Sequence, residues 1–142
     1  MAEPSVWTFF YGSFINLGVL KAGGYVPQSY EVARLRGFDI RIQPLATLVR
    51  SEQQCVYGIV ALGTHDQLRR LYSQDWVGTY LPEPVLVEAL DGKWRAAFCY
   101  IAPASDCPRP ATNDYIDRIV GPAKHYDFPA WYIARLESFR PK

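Results

Sequence analysis

The chain has 142 residues, of which 49% are hydrophobic and 20% are charged, and this composition favours one folded domain spanning residues 1–142 over a disordered chain. Its 15 Lys and Arg residues nearly balance 14 Asp and Glu residues, so the formal net charge is +1. Such a balance supplies no long-range field that would attract nucleic acid or an anionic membrane, and we expect neither as a partner.

No stretch approaches the roughly 20 apolar residues that a membrane helix needs, and the first residues lack the basic start and apolar centre of a signal peptide. We therefore expect a cytoplasmic protein. Cys55, Cys99 and Cys107 are odd in number and have no CxxC spacing, and the two histidines form no metal-binding motif. These patterns predict no disulfide framework and no metal, with the cysteines as small buried side chains.

The first half of the chain predicts several strands and one short helix. Residues 5–11 form a β-branched and aromatic run of strand length, apolar enough to be a central strand. A short helix follows at 14–22 and ends at two glycines. Residues 33–42 alternate like a half-buried strand with a bulge at the glycine, and 46–49 and 54–62 predict two more strands. Gly58 within the last of these indicates that something packs closely against its backbone.

The second half begins with a helix at 65–72, because the T-x-x-Q capping-box pattern precedes leucines at helical spacing. An irregular segment follows at 73–84. Strands at 85–89 and 93–101 flank Asp91-Gly92, a strong hairpin signal. After a proline-containing loop, Thr112 is the predicted cap of a helix to about residue 124, and a last helix runs from 128 to about 139.

Together these elements predict an α+β fold: a small mixed, mostly antiparallel curled sheet or barrel with short helices outside it. The abrupt end of the first strand at Tyr11-Gly12-Ser13 is of special interest. A strand that enters a glycine-containing turn at a helix start leaves backbone N–H groups free to bind an anion or an oxyanion. As a bare pattern, however, this turn is more typical of an ordinary structural connection.

The order of motifs carries more information than any one of them. An apolar strand ends in YGS at 11–13, a V-x-G strand follows at 56–58, and a leucine-bearing helix precedes an acidic residue, a tyrosine and a hairpin. In this order the chain resembles the gamma-glutamylcyclotransferase-like superfamily, from about residue 8 to residue 100. The order of elements agrees with the fold class predicted from the sequence pattern.

Members of that superfamily typically release 5-oxoproline from γ-glutamyl amides, because the α-amine of the γ-glutamyl group attacks its own γ-carbonyl. The resemblance implies a cofactor-free transferase or lyase that acts on a small γ-glutamyl amine or peptide. Such an enzyme holds the γ-glutamyl group of the substrate in a folded conformation, deprotonates its ammonium group and stabilises the oxyanion that forms. The residues implied to bind substrate are Tyr11, Gly12, Ser13, Phe14, Tyr80 and Tyr100.

The catalytic acid departs from the family pattern. Members typically carry a glutamate in a pattern like L-D-x-x-E-G, and the matching segment here reads LYSQDW, so Asp75 stands at the glutamate, Tyr72 at the aspartate and Trp76 at the glycine. An aspartate reaches about 1.3 to 1.5 Å less far, and a misplacement of about 1 Å can slow a reaction about a hundredfold. Asp75 is the predicted catalytic residue, with Glu83 and Glu88 as weaker alternatives.

Two other functions remain open at this stage. The shortened acid is also consistent with a binding module on the same fold, which recognises a small amino-carboxylate ligand without turnover. A structural or protein-interaction domain is the third possibility. The sequence predicts neither the leaving amine nor the oligomeric state.

Overall fold

A computed structural model describes residues 4–75, 77–103 and 107–142. Within these ranges the chain forms five strands, four α-helices and one short 3-10 helix. The strands are β1 (Ser5–Phe10), β2 (Tyr30–Ile42), β3 (Ala46–Thr64), β4 (Leu81–Ala89) and β5 (Trp94–Ile101). The helices are α1 (Leu17–Ala22), α2 (His65–Tyr72), α3 (Asn113–His125) and α4 (Ala130–Glu137), and the 3-10 helix spans Gly12–Ile15.

Strand pairing closes into a ring in the order β1-β3-β2-β4-β5 and back to β1. All neighbours are antiparallel except β1 and β5, which are parallel. Two of these strand pairings are short: β1 pairs with β5 at Thr8 and Phe9, and β2 pairs with β4 at Ala33 and Arg34. The sheet is therefore strongly curled, and the predicted α+β fold with a mixed, mostly antiparallel curled sheet is confirmed.

The first strand is central, as its composition predicts. It has a partner on each side, and Phe9 and Phe10 are completely buried. A Cβ built on Gly58 of β3 would lie 2.0 Å from the carbonyl oxygen of Phe10. The close packing that was predicted at Gly58 is therefore a contact with the backbone of β1.

The strands predicted at 46–49 and 54–62 are two parts of one strand, β3, which has 19 residues. Its partner β2 is itself 13 residues long, so β3 has a ladder along most of its length. The bulge predicted at Gly37 is present, since the register shifts between Arg36 and Phe38 and Gly37 has a φ of 89°. The polar residues 51–54 of β3 lie opposite this bulge and mask the continuity of the strand in the sequence.

Two helix boundaries follow local capping, and one predicted helix is interrupted. Thr64 and Gln67 form both hydrogen bonds of the capping box at α2, and the Thr112 side chain accepts from the Tyr115 N–H at α3. The helix predicted at 14–22 is split at Asn16, whose side chain accepts from the N–H groups of the first turn of α1. Its first part is the 3-10 helix that extends the turn after β1.

The segment predicted as irregular is strand from Leu81 onward, although it contains Pro82 and Pro84. These residues pair with β5, while the contact of β4 with β2 lies at Glu88 and Ala89. Among the described residues, Pro82 and Pro84 therefore have no partner strand on the β2 side of β4, and no hydrogen bond of a strand ladder is lost there. Their missing N–H groups are tolerated, as on an edge strand.

Of the three cysteines, Cys99 is buried, Cys55 is half-buried and Cys107 is exposed. The prediction of three buried cysteines is therefore wrong for two of them. Cys55 of β3 pairs with Arg36, next to the bulge at Gly37 of β2, and Cys107 lies in the loop before α3. In the described ranges, no helix has the length and apolar character to cross a membrane.

Candidate functional site

A cavity lies where the turn after β1 meets the end of α2, the loop after α2, the start of β3 and the first turn of α3. It is small, with a volume of about 40 Å³. A slim chain suits such a space better than a branched one. Its lining residues are Tyr11, Ser13, Phe14, Leu45, Ala46, Tyr72, Val77, Tyr80, Tyr100 and Tyr115.

The turn after β1 supplies one wall of this tyrosine-lined cavity. Tyr11, Ser13 and Phe14 line it, while Gly12 lies behind them with a φ of 62°. A Cβ on Gly12 would lie 2.5 Å from the Cβ of Ala46. A glycine is therefore needed at position 12 to leave room for Ala46 of β3. This packing is a structural role for Gly12, which the resemblance implies to bind substrate.

Three of the cavity phenols hold the walls together. The Tyr11 hydroxyl donates to the carbonyl oxygen of Tyr100 at 2.6 Å, and the Tyr80 hydroxyl donates to the carbonyl oxygen of Ala46. The Tyr115 hydroxyl accepts from the Ala46 N–H at 2.9 Å. These bonds tie β1, β3, β5, α3 and the loop after α2 around one space.

The other two phenols form an aromatic stack. The rings of Tyr72 and Tyr100 are 4.0 Å apart and inclined by 12°, and Phe14 meets Tyr72 edge-on at 5.3 Å. Among the hydrogen bonds between described residues, none uses the hydroxyl of Tyr72 or Tyr100. These two hydroxyls are therefore available to a ligand in the cavity.

Burial keeps the cavity phenols protonated. It raises the pKa of Tyr11 and Tyr72 well above the ordinary value, and burial is likewise the main cause that raises the pKa of Tyr80, Tyr100 and Tyr115. The hydroxyls therefore act at neutral pH as hydrogen-bond donors and acceptors, and they do not serve as bases. Protonated phenols are suited to an anionic oxygen, such as a carboxylate or an oxyanion.

No protein-family model matches the sequence, and no curated protein matches it. Solved structures do resemble it. One named as a gamma-glutamyl cyclotransferase is 24% identical, with a TM-score of 0.80 over 98% of this chain and 90% of that one. An uncharacterized human protein is 25% identical, with a TM-score of 0.79 over 99% of this chain and 90% of that one. A yeast gamma-glutamyl cyclotransferase specific to glutathione is 13% identical, with a TM-score of 0.68 over 95% of each chain. The chain has the fold of the gamma-glutamyl cyclotransferases.

In this cyclotransferase fold, the cavity brings together most of the residues that the sequence predicts to bind substrate. Tyr11, Ser13, Phe14, Tyr80 and Tyr100 all line it. Their roles toward a substrate remain predictions. Four further lining residues, Leu45, Ala46, Val77 and Tyr115, were not predicted, because no local motif in the sequence marks them.

Asp75 does not line the cavity. It is exposed, in the loop that joins Tyr72 to Val77, both of which are cavity residues. Trp76, the next residue, lies outside the described residues. Because consecutive Cα atoms are about 3.8 Å apart, the Cα of Asp75 lies within about 7.6 Å of the Cα of Val77. Asp75 is thus close to the cavity along the chain, with its side chain in solvent.

The alternative acids are engaged elsewhere. Glu83 forms an ion pair with Arg50, and Glu88 forms ion pairs with Arg34 and Arg36. The hydrogen bond from Arg34 is the main cause that lowers the pKa of Glu88, as expected for a carboxylate fixed in a surface ion pair. Neither lines the cavity, and among the described residues no group of three or more His, Cys, Asp or Glu side chains is placed to hold a metal ion.

Proposed function

We propose that this protein is an enzyme of the gamma-glutamyl cyclotransferase type, which releases 5-oxoproline from a small γ-glutamyl amine or peptide. The observation that carries this proposal is the tyrosine-lined cavity at the YGS turn. The cavity is small and its lining carries protonated hydroxyls, which supports a reaction of a small γ-glutamyl group that needs donors to oxygen. The fold shared with named cyclotransferases supports the same reaction class.

The proposed reaction needs neither water nor a cofactor. The α-amine nitrogen attacks the γ-carbonyl carbon, which forms the ring C–N bond and places a negative charge on the carbonyl oxygen. The original amide C–N bond then breaks, and the proton lost by the attacking nitrogen passes to the leaving nitrogen. Folding the γ-glutamyl chain inside a narrow space favours this intramolecular attack, because the effective concentration of the amine becomes high.

The hydroxyls of Tyr72 and Tyr100 are the proposed donors to the γ-carbonyl oxygen or to the α-carboxylate. Their rings stack at 4.0 Å, which fixes the position of both hydroxyls relative to the cavity. Ser13 lines the same cavity and offers a further hydroxyl. Donors held in place before the reaction stabilise the developing charge without having to reorganise.

Asp75 is the proposed carrier of the proton. Its loop begins and ends at the cavity residues Tyr72 and Val77, so Asp75 is within two residues of the cavity along the chain. Replacement of Asp75 by Asn should lower the turnover number about a hundredfold or more, the usual contribution of a general base. The measurement is 5-oxoproline release from γ-glutamylalanine and related γ-glutamyl amines by the parent and by Asp75→Asn and Asp75→Glu.

Asp91→Asn is the matched control, since Asp91 lies in the exposed β4–β5 hairpin, where asparagine also fits the turn. The control should keep the activity of the parent. Equal turnover by the parent and Asp75→Asn would remove Asp75 from the mechanism while the reaction itself stands. Absence of 5-oxoproline from every compound would contradict the enzyme proposal.

The exposure of Asp75 specifically favours a second candidate, a binding module that holds a γ-glutamyl or 5-oxoproline ligand without turning it over. A ligand that binds only the folded state raises the melting temperature. Stabilisation by γ-glutamylalanine or 5-oxoproline without product would support this second candidate, and stabilisation together with product would support the enzyme.

A further inference from the structure

A second recess, the Arg41/Arg109 groove, lies beside the tyrosine-lined cavity. It is much larger: by the same measure it holds about 590 Å³, against about 40 Å³ for the cavity. Leu45, Val77 and Tyr80 line both spaces, so the two spaces adjoin each other. A ligand that fills the cavity with a slim end therefore has room for a bulkier end in the groove.

The boundary between the two spaces is formed by the three residues that they share. The Tyr80 hydroxyl donates to the carbonyl oxygen of Ala46, which fixes the position of its ring. Leu45 and Val77 are the other two shared residues, and both have aliphatic side chains. A ligand that extends from the cavity into the groove would therefore pass along a mainly apolar boundary.

The groove carries positive charge, which the cavity does not. Arg41 and Arg109 line it, and no Asp or Glu is among its described lining residues. Gln43, Thr47 and Thr79 add further polar groups. Two guanidinium groups, with no Asp or Glu among the described lining residues, are suited to an anionic ligand, which arginine binds through paired N–H groups.

The two arginines differ in how they are held. Arg41 donates to Asp39 at 2.5 Å, and the same carboxylate accepts from Arg135 of α4 at 2.9 Å. Two arginines thus share one aspartate, which leaves an excess positive charge beside the groove. Arg109 is exposed and takes part in none of the ion pairs between described residues. Arg109 is therefore the guanidinium most available to a ligand.

We propose that the Arg41/Arg109 groove binds a carboxylate on the leaving half of the substrate. This inference rests on the proposed function, since it assigns the γ-glutamyl half to the tyrosine-lined cavity. It names the substrate class as γ-glutamyl amino acids or peptides with a free carboxylate, in preference to γ-glutamyl derivatives of neutral amines. Arg109 is the specificity-determining residue, and Arg41 supports it from a fixed position.

The test uses γ-glutamylalanine and γ-glutamylalaninamide, which differ only in whether the leaving half carries a carboxylate or a neutral amide. Steady-state kinetics of 5-oxoproline release give kcat/KM for each compound with the parent and with Arg109→Gln. The variant should lose about 5- to 10-fold in kcat/KM for the carboxylate compound, mainly through KM, because one charge-assisted hydrogen bond is removed. The neutral compound should be unaffected.

The ratio of the two values is the decisive quantity, because the intrinsic reactivity of each leaving amine cancels between parent and variant. Arg70→Gln is the matched control, since Arg70 is an exposed arginine of α2 that lines neither space. Its ratio should equal that of the parent. Added salt should raise KM for the carboxylate compound in the parent, since an exposed ion pair is screened. The rise should be smaller in Arg109→Gln, in which Arg41 is the remaining guanidinium of the groove.

An unchanged ratio in Arg109→Gln, with both compounds turned over, would overturn the groove inference and leave the proposed function standing. If neither compound is turned over, the proposed function fails, and calorimetry with the same two compounds decides the groove separately. Weaker binding of γ-glutamylalanine to Arg109→Gln than to the parent would then support the groove. Equal binding, or no binding, would overturn it.

Discussion

Gly12 shows how one residue couples the fold to the cavity. Its φ of 62° lies in the left-handed region, and its missing Cβ leaves room for Ala46. Its neighbours Tyr11 and Ser13 both line the cavity. Any side chain at Gly12 would therefore displace either the turn or the start of β3, and both carry cavity residues.

Gly12→Ala should lower the free energy of unfolding by about 2 to 4 kcal/mol, through the strained backbone and the overpacking against Ala46. Gly24→Ala is the control, because Gly24 also has a positive φ, 85°, but no atom within 4 Å of an added Cβ. It should lose only about 1 to 2 kcal/mol. Urea denaturation measures both, and equal losses would show that the contact with Ala46 contributes nothing.

At the scale of elements, α2 positions Tyr72 because its first turn is capped and two of its leucines are buried. The Thr64 side chain accepts from the Gln67 N–H at 3.1 Å, and the Gln67 side chain accepts from the Thr64 N–H at 2.9 Å. Leu68 and Leu71 are completely buried and hold the helix against the sheet. Tyr72, the last residue of the helix, is thereby placed against Tyr100 of β5.

Thr64→Ala should lower the free energy of unfolding by about 1 kcal/mol, the usual effect of removing a helix cap. Thr64→Ser keeps the hydroxyl and should remain within a few tenths of a kcal/mol of the parent. Thermal or urea denaturation of the three proteins is the measurement. A loss of the same size in Thr64→Ser would mean that the threonine methyl group, and not the cap, is responsible.

The elements also show which features a sequence can reveal. The capping box, the Asp91-Gly92 hairpin and the bulge at Gly37 are encoded within a few residues, and each prediction is confirmed. The continuity of β3 depends on a partner strand, so the sequence pattern divided it in two. The position of Tyr115 depends on α3 packing against the turn after β1, and no local pattern indicates it. The exposure of Asp75 depends on the path of one loop, and a match to a sequence motif does not indicate that path.

At the scale of the whole molecule, buried tyrosines determine how stability responds to alkaline pH. Burial raises the pKa of Tyr25 to about 12, whereas a tyrosine in an unfolded chain ionises near pH 10. Above pH 10 the unfolded state therefore loses a proton that the folded state keeps. The unfolded state then binds fewer protons, so the free energy of unfolding falls as the pH rises.

The stability contributed by Tyr25 should be present below pH 10 and lost between pH 10 and about 12. The expected slope is about 1.4 kcal/mol per pH unit for this residue, and the buried cavity phenols should add to it. Urea denaturation at successive pH values measures the slope. The slope should be smaller in Tyr25→Phe, because the phenol that ionises on unfolding is absent. A slope in the variant as steep as in the parent would contradict this account.

The most direct test of the central claim is the identity of the product formed from γ-glutamylalanine by the purified protein. Our account predicts equal amounts of 5-oxoproline and alanine, detected by mass spectrometry, and no product from N-acetyl-γ-glutamylalanine, whose blocked α-amine is not available to close the ring. Formation of glutamate and alanine would mean that water is the nucleophile, and product from the N-acetylated compound would mean that the α-amine is not. Either result, or the absence of any product, would contradict the claim that the tyrosine-lined cavity supports cyclisation.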